Sequence, residues 1–279
     1  MKLKKFIIAS VAAIAAAGII AGCGSSGDKK AAAASSSAEK SEITVGINPG
    51  YSEELFEKLI VPDAKAQGLT VNVKIFSDYV TPDLALSSGD IDLNSIQHKP
   101  FLDAFNEKNG TDLISIGNTY LAPLRLYSKK VKSVGDIPDG ASIGIPNDPS
   151  NGGRAILLLS KQGLIKVKAD VPATKLTLQD ITENPKNLKF VELEAAQLPR
   201  SLDDTTASIV NAGYAKDAKL PKDEAIAAED NTSPYVNIIA ARKADENNPT
   251  YKKFVKIFQS DKVKNYINEH FDGGLVPAW

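Results

Sequence analysis

The sequence is poor in the residues that make disulfides and metal sites. It has 279 residues with one cysteine, Cys23, and two histidines, His98 and His270. A single cysteine excludes an intrachain disulfide. Two histidines so far apart in the chain argue against a histidine-rich metal site. We therefore expect neither a metal ion nor a cofactor.

An excess of charge of either sign is also absent. Lysine and arginine together number 33, and aspartate and glutamate number 34, so the formal net charge is −1. A chain with such balanced charge has no long-range field to attract a polyanion. We therefore expect no nucleic-acid partner.

The signatures of covalent catalysis are missing as well. The sequence has no Gly-x-Ser-x-Gly turn of the kind that presents a serine nucleophile, and its histidines do not cluster. Asp203 and Asp204 form a carboxylate pair, but adjacent residues on a helix point in different directions. These absences favour a binding protein over an enzyme.

The amino terminus has the pattern of an export signal. Lysines among the first five residues precede an apolar run over residues 6–20, which is shorter than the roughly 20 residues of a membrane span. Residues 20–23 read Ile-Ala-Gly-Cys and resemble a bacterial lipobox. The resemblance implies a signal peptide over 1–22 and acylation of Cys23, which would anchor the protein in the cell membrane, facing outside the cytoplasm. A plain signal peptide with a stray thiol is the alternative.

The rest of the chain divides into a tether and a folded part. Residues 23–42 are rich in small and polar residues without apolar periodicity, which is typical of a flexible tether. From residue 43 onward, short strand patterns alternate with helical patterns, such as those over 53–66 and 250–271. This alternation predicts an α/β fold with a largely parallel sheet, in which ligands bind beyond the carboxyl ends of the strands.

The loop over residues 145–154 is the strongest local candidate for a binding site. It follows an apolar strand pattern and opens an apolar helix, for which Ser150 or Asn151 is the expected cap. The two glycines after Asn151 remove side chains where a ligand would approach. Free N–H groups at the helix start and the guanidinium of Arg154 suit a carboxylate. A capped turn with a surface arginine is the alternative that this loop alone leaves open.

Longer motifs along the chain resemble one known family. In order, they are residues 97–100 (Gln-His-Lys-Pro), 117–119 (Gly-Asn-Thr), 127–130 (Tyr-Ser-Lys-Lys), 146–151 (Pro-Asn-Asp-Pro-Ser-Asn), 183–188 (Glu-Asn-Pro-Lys-Asn-Leu), 197–204 (Gln-Leu-Pro-Arg-Ser-Leu-Asp-Asp), 233–237 (Ser-Pro-Tyr-Val-Asn) and the ending 273–279. Through them the whole processed chain is similar to the methionine-binding lipoproteins of bacterial methionine-uptake ABC transporters. So many matches in one order are far more specific than a single short motif.

The resemblance implies a fold and a function. The fold is a two-lobed periplasmic-binding-protein fold, type II-like and of the Venus flytrap kind, with a hinge that the chain crosses twice. Lobe 1 would comprise residues 43–122 and 238–279, and lobe 2 residues 123–237. The protein would be the substrate-binding lipoprotein of an ABC importer. It would capture an amino acid, methionine before others, outside the cytoplasmic membrane and deliver it to a permease that works with an ATPase subunit.

The resemblance also implies the ligand-binding residues. The matching positions are Arg154 for the ligand carboxylate, Asn211 and Asn237 for the amino-acid backbone, Tyr79, His98 and Phe101 for the wall around the side chain, and Asn151 in the matching loop.

Two positions depart from the family pattern. Ile96 stands where an aromatic residue is common, and Phe101 stands where tyrosine is common. Neither change touches the residues that bind the amino-acid backbone, so the class of ligand is better determined than its side chain. The alternatives are a binding protein for another apolar amino acid or a methionyl dipeptide, or a surface adhesin or sensor on the same fold.

Overall fold

The computed structural model describes residues 40–230 and 232–279. The predicted signal peptide, Cys23 and most of the predicted tether lie outside the described residues. The end of that tether overlaps the fold, because the first strand begins at Glu42. In the described part, no helix is both long enough and apolar enough to cross a membrane.

The strands of the described residues alternate with helices along most of the chain. The strands are β1 (Glu42–Ile47), β2 (Thr70–Ile75), β3 (Leu93–Asn94), β4 (Ile114–Leu121), β5 (Arg125–Tyr127), β6 (Ser142–Pro146), β7 (Lys166–Val167), β8 (Ile181–Glu183), β9 (Lys189–Leu193), β10 (Ala207–Val210), β11 (Ala225–Ala228), β12 (Val236–Ala241) and β13 (Val276–Pro277).

The helices are similarly distributed. They are α1 (Tyr51–Leu55), which continues through a π-helical turn (Phe56–Ile60) into α2 (Val61–Ala66), then α3 (Thr81–Ser88), α4 (Lys99–Asn109), α5 (Pro149–Lys161), α6 (Leu198–Ser201), α7 (Ala212–Asp217), α8 (Pro249–Phe258) and α9 (Asp261–His270).

The first sheet combines the beginning and the end of the chain. Its strand order is β13-β4-β12-β3-β1-β2. β1 pairs in parallel with β2 and β3, whereas β12, β4 and β13 pair antiparallel. Apolar side chains are buried on both faces, with Phe254 and Phe258 in one cluster and Leu86 and Leu102 in another. The sheet is thus covered on both sides, as expected of an α/β layer.

The second sheet is built from the middle of the chain. Its order is β11-β5-β10-β6-β9, with β6 parallel to β9 and β10, and β5 antiparallel to β10 and β11. Ile143 and Ile209 pack with the apolar face of α5 on one side, and Leu198 and Tyr214 belong to a cluster on the other. This sheet therefore has its own core, separate from that of the first.

Two predictions about regular structure are wrong in detail. Both larger sheets are mixed rather than largely parallel, because each contains antiparallel pairs. The helix predicted over 250–271 is two helices, since α8 ends before Gln259 and Ser260 caps α9 by accepting a hydrogen bond from the N–H of Val263. An amphipathic pattern that continues across a short break does not reveal the break.

Candidate functional site

A small cavity, lined by residues of the first sheet and by residues that follow strands of both sheets, gathers all seven predicted ligand-binding residues. Its volume is about 50 Å³. The seven residues are Tyr79, His98, Phe101, Asn151, Arg154, Asn211 and Asn237. Sequence reasoning assigned no ligand-binding role to other residues of the lining, among them Asn48, Ser52, Gln97 and Tyr120. Proximity is thus established for the whole predicted set, and contact with a ligand stays a prediction.

Strand ends position most of these side chains. Asn48 follows β1, and Asn211 follows β10, each strand having a parallel neighbour. Tyr79 lies in the turn between β2 and α3, and His98 immediately precedes α4. The carboxyl ends of parallel strands are where α/β sheets bind ligands, so the mixed sheets keep this rule in their parallel parts.

Arg154 is buried and its guanidinium is ion-paired within the protein. Its side chain is 2% exposed, Nε donates to Oε1 of Glu229 at 2.7 Å, and Nη2 donates to Oε2 of the same carboxylate. Nη2 also donates to the carbonyl oxygen of Ala122 at 3.0 Å, and the guanidinium carbon lies 4.9 Å from the centre of the Tyr235 ring. The alternative of a surface arginine is therefore wrong.

Glu229, the ion-pair partner of Arg154, is a residue that sequence reasoning missed. Its side chain is only 8% exposed, Oε2 accepts from the backbone N–H of Leu124 at 2.9 Å, and Oε1 accepts from Ser233 Oγ at 3.1 Å. In the sequence it is an acidic residue after a short strand, and acidic residues are usually exposed. No local motif marks it, since its role depends on the fold bringing it beside a residue 75 positions earlier.

A chain of hydrogen bonds runs from the start of α5 to Asn211. Asp148 Oδ1 accepts from the backbone N–H of Asn151 at 2.8 Å, and both carboxylate oxygens accept from Asn151 Nδ2, at 3.2 and 3.0 Å. Asn151 Oδ1 in turn accepts from Asn211 Nδ2 at 3.0 Å. Burial raises the pKa of the Asp148 carboxyl. The orientation of the Asn211 amide is thus set by Asn151, and that of Asn151 by Asp148.

The predicted helix cap is corrected by the same geometry. Asp148, and not Ser150 or Asn151, caps α5, because Pro149 occupies the first helical position and needs no hydrogen-bond partner for its nitrogen.

The role expected of the two glycines in α5 is also wrong. A Cβ on Gly152 would lie 3.0 Å from the carbonyl oxygen of Pro146, and one on Gly153 would lie 2.8 Å from that of Leu176. Neither glycine lines the cavity. They allow close packing of α5 against the protein's own backbone rather than against a ligand.

His98 is a neutral ring with a defined tautomer. Its Nδ1 accepts from the backbone N–H of Phe101 at 3.2 Å, which caps α4. Burial lowers the pKa of its imidazole to about 3, so the ring is uncharged near neutral pH. Since Nδ1 is an acceptor, the proton lies on Nε2, which donates to Asn151 Oδ1 at 3.2 Å. The ring also packs edge-on against Tyr235, 5.0 Å between centroids.

Three amides of the lining retain an oxygen that has no hydrogen-bond partner among the described residues. These buried atoms are Oδ1 of Asn211, Oε1 of Gln97 and Oδ1 of Asn48. The Nδ2 of Asn48 donates to the carbonyl oxygens of Phe76 and Asp78 at 2.7 and 3.2 Å. Buried acceptors are rarely left unpaired. Because no described Asp or Glu lines the cavity, these oxygens are the acceptors available to a positively charged group of a ligand.

Aromatic rings form another part of the cavity wall. Tyr79 packs edge-to-face on Phe101 with 5.8 Å between centroids and lies 5.1 Å from the ring of Tyr214. A larger cavity of about 560 Å³ is also lined by Tyr79 and Phe101, together with α4 and the start of α5. These two rings therefore form a partition between a small and a large cavity.

The segment before α4 is fixed by contacts with β12 and α3. Asn237 Nδ2 donates to the carbonyl oxygen of Ile96 at 3.4 Å. The buried carboxyl of Asp83 accepts from Asn94 Nδ2 and Gln97 Nε2, both at 2.7 Å, and burial raises its pKa to about 7.

Comparison with known sequences gives matches along nearly the entire chain. Residues 43–279 match the family model described as NlpA lipoprotein. A "Probable D-methionine-binding lipoprotein MetQ" from Vibrio cholerae is 42% identical over 279 residues, covering 99% of this chain and 100% of that protein. The "D-methionine-binding lipoprotein MetQ" of Escherichia coli is 43% identical over 281 residues, covering 100% and 99%.

Solved structures give the same result at the level of the fold. A nutrient-binding protein from Burkholderia cenocepacia bound to methionine has a TM-score of 0.81 and 47% identity, covering 85% of this chain and all of that one. A putative methionine-binding lipoprotein from Bacillus subtilis has a TM-score of 0.82 and 34% identity, covering 85% and 98%.

The predicted α/β, two-lobed periplasmic-binding fold is confirmed by these structures, which are those of substrate-binding proteins. The chain belongs to the NlpA lipoprotein family. Its relatives are named lipoproteins, which implies attachment to a membrane.

Proposed function

We propose that this protein captures free methionine outside the cytoplasmic membrane and delivers it to the permease of an ABC importer, which acts with an ATPase subunit. Two relatives carry names that describe D-methionine binding, and one structural neighbour was solved with methionine bound. The mechanism is binding and hinge closure without bond chemistry.

The observation that carries this proposal is the pairing of unlike groups in one cavity. Arg154 supplies a buried guanidinium, and Asn211 Oδ1 supplies a buried acceptor with no partner among the described residues. An α-amino acid presents a carboxylate and an ammonium group on neighbouring atoms. In this proposal the carboxylate binds Arg154 and the ammonium group binds Asn211 and the other acceptors of the lining, while Asn237 contacts the amino-acid backbone.

The side chain of the ligand would pack against Tyr79, Phe101 and the neutral ring of His98. Sulfur–aromatic contacts are worth about 0.3–1.5 kcal/mol each. Asn151 would act mainly by orienting Asn211, because its own amide is engaged by Asp148, Asn211 and His98.

We propose lobes that correspond to the two sheets. Residues 43–122 and 238–279 would form lobe 1, and residues 123–237 lobe 2. Support comes from strand membership, since β1–β4, β12 and β13 share one sheet and β5, β6 and β9–β11 the other. The second crossing would fall slightly earlier than residue 238, because β12 begins at Val236.

We also propose that the protein is held to the membrane by lipid on Cys23 after cleavage of residues 1–22. Cells that express the Cys23→Ala variant should release it from the membrane fraction. Retention of that variant in washed membranes would contradict lipid anchoring at this residue.

The test of the proposed function is calorimetric titration of the purified protein with L-methionine, D-methionine, leucine and a methionyl dipeptide. We expect saturable binding of methionine at one site and weaker binding of leucine. A protein that binds none of these would contradict the proposal and would favour an adhesin or sensor.

A further inference from the structure

We infer that Glu229 is a positioning residue that makes the site selective for ligands carrying both charges, and this inference rests on the proposed function. The residue does not line the cavity and acts through Arg154. Its predicted effect is on which charge state of a ligand binds, and not only on how tightly methionine binds.

The orientation of the guanidinium follows from its hydrogen bonds. Nε and Nη2 of Arg154 are both used by Glu229, and Nη2 is also used by the carbonyl oxygen of Ala122. Among the described residues, Nη1 has no hydrogen-bond partner within the protein. A guanidinium fixed along one edge in this way offers the other edge to a ligand carboxylate.

Glu229 is itself rigidly held. Its two oxygens accept from the backbone N–H of Leu124 and from Ser233 Oγ, in addition to Arg154. Its own backbone N–H donates to the carbonyl oxygen of Leu124 at 2.9 Å. The carboxylate is therefore fixed by the segments that carry Leu124 and Ser233, which leaves little freedom to Arg154.

The second part of the inference concerns the net charge of the site. The Arg154–Glu229 pair is buried and neutral as a unit, and no described carboxylate lines the cavity. A ligand with both an ammonium and a carboxylate group matches a neutral site. Without the negative charge of Glu229, the site would carry an uncompensated positive charge and would favour anionic ligands.

The experiment compares three ligands in calorimetric titrations at neutral pH. They are methionine, its desamino analogue, which keeps only the carboxylate, and methioninamide, which keeps only the ammonium group. The quantity of interest is the ratio of the Kd of the desamino analogue to the Kd of methionine. In the unmodified protein we expect a large ratio and weak binding of methioninamide.

The Glu229→Gln variant should lower this ratio by at least about tenfold, since removing a unit charge beside a buried site changes the electrostatic energy by more than the ~1.4 kcal/mol that corresponds to tenfold. Asp230→Asn is the matched control. It removes the same charge at the next residue, where the side chain is 54% exposed and pairs with Lys161 at 3.1 Å. Its ratio should equal that of the unmodified protein.

The Glu229→Asp variant separates geometry from charge. It keeps the negative charge but shortens the side chain, so both ligands should bind about tenfold more weakly while the ratio stays within about twofold. If circular dichroism shows that Glu229→Gln does not fold, the titrations of Glu229→Asp still test the inference.

Two results would overturn the inference while the unmodified protein still binds methionine. One is a folded Glu229→Gln variant with an unchanged ratio. The other is a Glu229→Asp variant with either unchanged affinities or a lowered ratio. Absence of methionine binding in the unmodified protein would instead contradict the proposed function.

Discussion

The two sides of the cavity are built on different principles. The polar side, formed by Arg154, Asn151 and Asn211, is fixed by hydrogen bonds among these residues and to Glu229, which binds Arg154 from outside the lining, at 2.7 to 3.1 Å. The aromatic side, formed by Tyr79 and Phe101, is held by ring packing and borders the larger cavity. Directional bonds specify position closely, whereas apolar packing tolerates changes in shape at modest cost. We therefore expect the polar side to determine that an amino acid binds, and the aromatic side to determine which one.

The largest effect is expected from Arg154→Ala, which removes the cation of the polar side. Truncating one partner of a buried charged hydrogen bond costs about 2–5 kcal/mol of binding. The same change leaves Glu229 buried without its cation, so the Tm should fall as well. Lys161→Ala is the control, because it removes an exposed cation from the same helix. Retention of methionine affinity within twofold in Arg154→Ala would contradict the account.

A smaller loss is expected from Asn211→Ala. Hydrogen bonds to charged groups contribute about 1.5–3 kcal/mol, so methionine should bind roughly ten- to a hundredfold more weakly. The exposed Asn247→Ala variant removes the same amide where it only accepts from Lys252 and should bind normally. Equal affinities for the two variants, measured by titration, would show that Asn211 does not contact the ammonium group.

On the aromatic side, Phe101→Leu should change selectivity more than affinity. Loss of part of a buried ring costs about 1 kcal/mol in such contacts. Because Phe101 separates the two cavities, ethionine, which has a longer side chain, should gain affinity relative to methionine. Phe190→Leu, which changes a partly buried ring packed against the core of the second sheet and away from the cavity, is the control. An unchanged ethionine-to-methionine ratio in Phe101→Leu would mean that this ring does not limit side-chain length.

The smallest expected effect is on the pH dependence of the free energy of unfolding, through the buried carboxyl of Asp83. Burial raises the pKa of Asp83 from 3.8 to about 7, so between these pH values the folded state binds more protons than the unfolded state. The contribution of Asp83 to stability therefore falls as pH rises through this window. Asn at this position does not titrate, so Asp83→Asn should become more stable relative to the unmodified protein as pH rises.

Urea unfolding at several pH values measures this difference. His98, whose pKa is lowered to about 3, has the opposite effect on stability, but it is present in both proteins and cancels in the comparison. Asp90→Asn, at an exposed carboxylate beside Ser88, is the control. A stability difference between Asp83→Asn and the unmodified protein that stays constant with pH would contradict the raised pKa of Asp83.

Much of the fold could be predicted from the sequence, because apolar periodicity reports burial directly. The strand that begins near residue 43 and the helix that follows residue 148 lie where their patterns indicate. Strand direction could not be read in this way, since β12 pairs antiparallel with β4 and with β3 for reasons of connectivity.

In the candidate site, too, residues in local motifs could be predicted, whereas residues that act through long-range contacts could not. The residues that line the cavity came from local motifs and from the family resemblance, and all seven lie together. Glu229 and Asp83 could not be found, because each matters through contacts with residues distant in sequence. The cap at Asp148 could have been found, since the proline after it is common at the first helical position.

The most direct test of the account is a crystal structure of the protein grown with methionine. We predict one methionine in the small cavity, with its carboxylate within hydrogen-bonding distance of Arg154 Nη1 and its ammonium group within hydrogen-bonding distance of Asn211 Oδ1. A methionine bound with its carboxylate away from Arg154, or bound outside this cavity, would contradict the account.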